Sequence, residues 1–272
     1  MATKNVLIVF AHQSATSFCA AAKDVAVEVL KGQGCNVVVS DLYAMKFKAV
    51  ANQEDIVGEL KNPQNFRYAE EMMLAWQDGR LSPDIVEEQK KVTEADLIIL
   101  HFPMYWFSFP GVLKGWVDRV LTLGFAHTCE KRYSQGIFRD KRIMLSFTTG
   151  SCESMFSCNG VNGDMNVTLW PIQNGILHYC GFQVLGPQIF WAPPSISPEE
   201  RESMLSAWRT RLQGLLSEPA LTFPLLECFD PGMGFKLKPE VHEKHVDASH
   251  GLTVGQHLGK ALPPNSQLRA GI

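Results

Sequence analysis

Short apolar runs recur along this chain, each followed by a stretch whose apolar residues fall at helical spacing. That alternation constrains the fold more than any other feature. Val6-Leu7-Ile8-Val9-Phe10 is rich in β-branched residues and lacks polar–apolar alternation. Such a run suits a strand buried on both faces of a parallel sheet. A polar turn, His12-Gln13-Ser14-Ala15-Thr16-Ser17, leads into a helix from Phe18 to Lys31 that Gly32 and Gly34 stop. Asn36 to Ser40 reads as a second strand. Helices are predicted around 67–78 and 82–95, the latter started by Ser82-Pro83-Asp84 with Glu87. A strand over 97–102, a helix over 110–123 and a strand over 142–147 follow. The pattern closes with a helix near 165–180, a strand near 183–191 and a helix near 198–216 opened by Ser197-Pro198-Glu199-Glu200.

Five strands alternating with helices predict an α/β fold, a doubly wound five-stranded parallel sheet in the flavodoxin-like order 2-1-3-4-5. In that topology ligands bind at the carboxyl ends of strands one, three and four. After Glu218 the pattern fails. Residues 1–218 read as one catalytic domain, and 219–272 as a Pro-, Gly-, His- and Lys-rich appendage with at most one short strand-like piece. A formal net charge of -3 without blocks of like charge argues against nucleic acid or an anionic membrane as a partner. The apolar run Val6 to Ala11 is too short to span a bilayer, and the first residues carry no signal-peptide pattern. Seven scattered cysteines without a C-x-x-C fit a reduced compartment, so the reading places the protein in the cytoplasm.

Three segments behind strands converge on the expected crevice. His12 to Ser17 opens a helix, where hydroxyls, orphan N–H groups and the helix dipole suit phosphate oxygens. It holds no glycine, so it is neither a G-x-G-x-x-G turn nor a Walker A loop, and taken alone it is an N-cap by Thr16 or Ser17. Pro103-Met104-Tyr105-Trp106-Phe107-Ser108-Phe109-Pro110 is an aromatic loop, unusual for a connection that normally lies in water. A flat cofactor, a partner subunit or plain packing would account for it. Thr148-Thr149-Gly150-Ser151 offers hydroxyls and a close backbone approach. Together the three fit a flavin dinucleotide.

Along nearly its whole length the chain resembles the NAD(P)H:quinone oxidoreductase (DT-diaphorase) family. The resemblance is carried by Ser40-Asp41-Leu42-Tyr43-Ala44-Met45, by Leu81 to Val86, by Leu113-Lys114-Gly115-Trp116, by Gly163 to Gln173 and Gly175 to His178, and by Gly251 to Lys260. It implies a homodimer with FAD in each subunit. Hydride would pass from NADH or NADPH to the flavin and then to a quinone, in ping-pong order. By this resemblance FAD contacts His12, Ser17, Phe18, Pro103, Met104, Tyr105, Trp106, Phe107, Thr148, Thr149, Gly150, Ser151 and Arg201. At Cys19, where the family usually has Asn, only a backbone contact carries over.

The departures bear on chemistry. By this resemblance the family's active-site Tyr is Phe156 here and the nearby His is Asn162: Phe156 can pack but cannot donate, and Asn162 can donate an amide N–H but cannot change charge. Loss of one such donor can slow a reaction by about 10² or more. The aromatic roof of the quinone pocket becomes His127 and Cys129, within a substrate set of Ala126, His127, Thr128, Cys129, Met155, Tyr179 and Phe235. The appendage favours NADH or NADPH over dihydronicotinamide riboside, the donor of a shorter family member. A rival reading is a flavin-binding interaction protein with weak reductase activity. No metal is expected. The positions of the shorter member's structural metal ligands, two His and a Cys, are Asn174, His178 and Phe223 here, so only one His remains, and His242, His245, His250 and His257 form no complete ligand set. His101, Trp116 and Trp170 read as packing residues. Cys152 and Cys158 read as small hydrophobes or as redox-sensitive thiols.

Overall fold

A computed structural model describes residues 3–263. In chain order, β1 (Asn5–Phe10) leads to α1 (Phe18–Gly32) and β2 (Asn36–Asp41), and α2 (Tyr68–Gln77) and α3 (Pro83–Glu94) precede β3 (Leu97–Pro103). α4 (Gly111–Val120), β4 (Arg142–Thr148) and α5 (Met165–Ile172) follow, then β5 (Gln183–Val184), β6 (Gln188–Phe190) and α6 (Pro198–Gly214). The sheet is parallel in the order β2-β1-β3-β4-β5, and β6 also pairs with β4. This is the order expected from the alternation of strands and helices.

The period of two along the strands assigns each side chain to a layer. Leu7, Val9, Ile98, Leu100 and Leu145 enter one core with Leu113 and Trp116 of α4 and Leu169 of α5. Val6, Ile8, Leu97, Ile99 and Met144 enter the other, against Val25 and Leu30 of α1 and Trp208 and Leu212 of α6. All seven β3 side chains are buried, which explains why that run shows no polar alternation.

Several local readings change. The fifth strand, expected near 183–191, is two pieces. Pro187 between them has no N–H for the ladder, and the Gly186 and Pro187 carbonyls accept from the Arg211 guanidinium at 2.7 and 2.9 Å. The helix expected over 165–180 is α-helical only to Ile172. Pro171 removes a donor, and Gln173–His178 continues as a π-helix. Ser82 precedes α3, but its hydroxyl donates to Asp84 at 2.6 Å instead of capping the helix. Ser197 does form the capping box with Glu200. Beyond Ser217 the chain builds more than one strand-like piece: β7 (Phe229–Asp230) and β8 (Lys236–Leu237) pair antiparallel, and α7 (Pro239–His245) follows. Gly255 then lies so close to α5 that a Cβ there would meet the Trp170 indole at 2.5 Å.

Two buried polar networks stiffen the helices on the α4 side. Arg119, 1% exposed, pairs with buried Asp55 at 2.8 Å and with Asp84 at 2.7 Å, and Tyr68 donates to Asp55 at 2.8 Å. Trp116 and Ser40 donate to buried Glu88 at 2.8 and 3.0 Å. The packing role read for Trp116 thus includes an indole N–H bond.

Candidate cofactor cleft and active site

At the carboxyl edge of β1, β3 and β4 lies a cleft of about 470 Å³. His12, Ser17, Phe18 and Cys19 form one wall, Pro103, Met104 and Tyr105 a second, and Thr148, Thr149 and Gly150 the floor between them. Arg201 of α6 closes the far side with Pro193 and Pro194. All three converging segments therefore meet in one cavity. Pro193 and Pro194 went unread in the sequence, although Phe190-Trp191-Ala192-Pro193-Pro194 behind the fifth strand repeats the aromatic-then-proline pattern of 103–110. Arg201 holds that loop by donating to the carbonyls of Pro193 and Ile196, at 3.2 and 2.7 Å.

The first wall is preorganised by its own hydrogen bonds. Ser17 is the N-cap of α1 and accepts from the Ala20 N–H at 3.0 Å, while its hydroxyl donates to the Ser14 carbonyl at 2.9 Å. Nδ1 of His12 accepts from the Ser14 N–H at 2.9 Å. Burial lowers the His12 pKa, and with Nδ1 accepting, the neutral ring carries its proton on Nε2, a donor. The Thr149 hydroxyl is committed, donating to the Ser151 carbonyl at 2.8 Å and accepting from the Ala192 N–H at 3.1 Å. Gly150 differs: a Cβ there would meet nothing within 4 Å, because its backbone faces open cleft. Below the cleft, His101 Nε2 donates to the Cys19 carbonyl at 2.7 Å and Nδ1 accepts from Ser146 at 2.8 Å. His101 is a core residue that holds the start of α1 against β3.

The aromatic loop is a tight hairpin. Tyr105 and Ser108 exchange both backbone hydrogen bonds, at 3.1 and 3.0 Å. Trp106 and Phe107 between them have φ of 49° and 62°, the paired left-handed residues of a type I′ turn that Asn-Gly normally fills. Trp106 is 95% exposed, and it, Phe107 and Ser151 stand outside the cleft lining. Phe107 packs on Phe156 with ring centroids 5.5 Å apart, and Trp191 backs Phe156 at 5.7 Å. Phe156 and Trp191 line a separate cavity of about 340 Å³. Asn162 is half-buried, and its N–H donates to the Met155 carbonyl at 2.9 Å.

The remaining candidate substrate residues lie elsewhere. His127 and Tyr179, ring centroids 5.2 Å apart, line a cavity of about 260 Å³. His127 Nδ1 is buried without a partner among the described residues, and burial lowers this ring's pKa. Ala126 is buried beside it, Thr128 binds Glu130 at 2.9 Å, and Cys129 is exposed. Phe235 lies under the Arg132 guanidinium in a cavity of about 240 Å³ at the joint with the C-terminal segment. There His178 stacks on Phe223 at 4.0 Å, and burial brings its pKa down to about 4. One chain thus gathers the cofactor candidates other than Trp106, Phe107 and Ser151 in one cleft but keeps the substrate candidates in separate cavities.

A parallel 2-1-3-4-5 sheet with its cleft at the strand ends defines a flavodoxin-like protein, and a family model described as the flavodoxin-like fold matches residues 4–212. The Rattus norvegicus NAD(P)H dehydrogenase (quinone) 1 is 50% identical over 272 residues, covering 99% of each chain. The Homo sapiens ribosyldihydronicotinamide dehydrogenase (quinone) is 51% identical over 218 residues, 80% of this chain and 94% of its own. A solved structure of a proposed quinone reductase from Klebsiella pneumoniae is 34% identical with a TM-score of 0.83, covering 88% of this chain and 95% of its own. The chain belongs to the NAD(P)H dehydrogenase (quinone) family of oxidoreductases.

Proposed function

We propose that the protein reduces quinones to hydroquinones by two-electron transfer, with FAD in the 470 Å³ cleft and NADH or NADPH as donor. The observation that carries this reading is the meeting of phosphate-suited turn, aromatic loop and Thr/Gly floor in one cavity. The residues fit the cofactor. The dipole of α1 and the Nε2–H of His12 suit its phosphates, and the bare backbone at Gly150 leaves room for a ring. When bound, the flavin supplies the hydride relay between nicotinamide and quinone.

The chain's own groups then position and polarise. Phe156 packs and excludes water but has no proton to give, so Asn162 is the remaining side-chain donor of the pair. The exposed Trp106 and the scattered substrate candidates are accounted for by a homodimer, in which a second copy covers the hairpin. It would bring His127, Cys129, Tyr179 and Phe235 over Phe156 and Met155. A cytoplasmic location accords with seven unpaired cysteines. Full-length alignment with the NAD(P)H enzymes, against 80% coverage by the riboside-using relative, supports the dinucleotide donor.

Anaerobic stopped-flow reduction of FAD-loaded protein tests the proposal, with NADPH, NADH and dihydronicotinamide riboside compared at the flavin band. Saturable bleaching by NADPH or NADH, followed by reoxidation with menadione, is the expected result. Bleaching by the riboside alone would move the donor assignment. No bleaching of a dithionite-reducible flavin would leave a binding protein.

A further inference from the structure

The two loops that wall the cleft are each ordered internally. In the first, the hydrogen bonds of His12, Ser14 and Ser17 stay within the turn and the start of α1. In the second, Tyr105 and Ser108 close the hairpin on itself. One side-chain pair crosses between them. The Gln13 amide holds both heteroatoms within hydrogen-bond distance of the Tyr105 hydroxyl, Nε2 at 3.0 Å and Oε1 at 3.2 Å, across 92 residues of sequence. His12, next to Gln13, and Tyr105 itself both line the cleft, and the bond lies at its solvent edge.

We propose that Gln13 and Tyr105 form a clasp that ties the phosphate-suited turn to the aromatic hairpin across the cleft and slows exchange of the flavin held there. This rests on the cofactor assignment above. Tyr105 already contributes its ring to the wall, and the clasp adds a positioning role through its hydroxyl. A neutral amide and a phenol suit a latch that opens without a change of charge. The exposed amide can swing away to water once the bond breaks, so the clasp retards release without sealing the site. A hydrogen bond of this kind contributes about 0.5–1.5 kcal/mol, corresponding to a change in release rate of roughly 2- to 10-fold.

The test uses full-length, FAD-loaded protein diluted into buffer, with recovery of free-flavin fluorescence timed for wild type, Tyr105→Phe, Gln13→Ala and the double variant. Each single change should speed release within that range, and the double variant should be no faster than the faster single. Unchanged singles, or effects that multiply in the double variant, would overturn the clasp. A second readout is independent of flavin. Hydrogen exchange of the chain as purified should quicken over residues 12–17 when only Tyr105→Phe is made, and unchanged exchange there would also overturn it. Wild-type protein that retains no FAD would bring down the cofactor assignment, and the exchange measurement would still decide the clasp.

Discussion

Phe156 is the residue whose chemistry departs most from its position. Its ring is 7% exposed, held by Phe107 and Trp191, so its side chain is placed as well as a tyrosine would be while lacking the hydroxyl. Phe156→Tyr or Asn162→His should therefore raise the rate of flavin reduction by NADPH, by up to about 10² where the new donor meets developing charge. Stopped-flow bleaching of the variants checks this, and a rate equal to wild type would show that neither position acts on the reaction. His101 gives a second expectation, in stability. Burial brings its pKa down from the ordinary 6.5 to about 4, so between those values the unfolded chain binds the proton that the folded chain refuses. Stability from this group is full above pH 6.5 and lost as pH falls towards 4, by roughly 3 kcal/mol. Urea midpoints measured across that window should fall with acid, and more steeply in wild type than in His101→Leu.

At the scale of elements, the hairpin of the aromatic loop is strained by design of sequence. Two large aromatic residues take the left-handed conformation at consecutive positions, φ 49° and 62°, each disfavoured by about 1–2 kcal/mol relative to a right-handed residue. Trp106 recovers little of that within one chain, being 95% exposed. Trp106→Asn should accordingly stabilise the folded protein by about 1 kcal/mol while weakening the flavin or dimer contact proposed for the ring. Denaturant midpoints and FAD titration together would test it. A variant that loses stability would mean the indole is already packed in solution.

The C-terminal segment belongs to the whole molecule, since it reaches back to α5. Gly255 leaves no room for a side chain, with the Trp170 indole 2.5 Å from any Cβ. Gly255→Leu should push the segment off the body, destabilising it by about 1–3 kcal/mol, and should raise the KM for NADPH more than that for dihydronicotinamide riboside. Limited proteolysis would report the loosening. Equal effects on both donors would place the segment away from the dinucleotide.

The alternation of strands with helices determined the sheet and its order, because continuous β-branched runs set between segments of 3.6-residue period leave few other layers to build. The meeting of three segments in one cleft was legible for the same reason: in this topology, residues just after β1, β3 and β4 come together. Tertiary structure decided the rest. Pro187 broke the fifth strand, since its missing N–H matters only once a ladder partner is fixed. Arg119, Asp55 and Asp84 lie far apart in sequence, and only packing brings them together and strips the water from Arg119 and Asp55. Pro193 and Pro194 became cleft residues only when Arg201 folded their loop inward. His127, Tyr179 and Phe235 stand in cavities apart from Phe156, a separation that only the packing of distant segments fixes. Local spacing sets which atoms one sheet edge gathers, and long-range packing sets which buried charges, turns and surfaces those atoms find as partners.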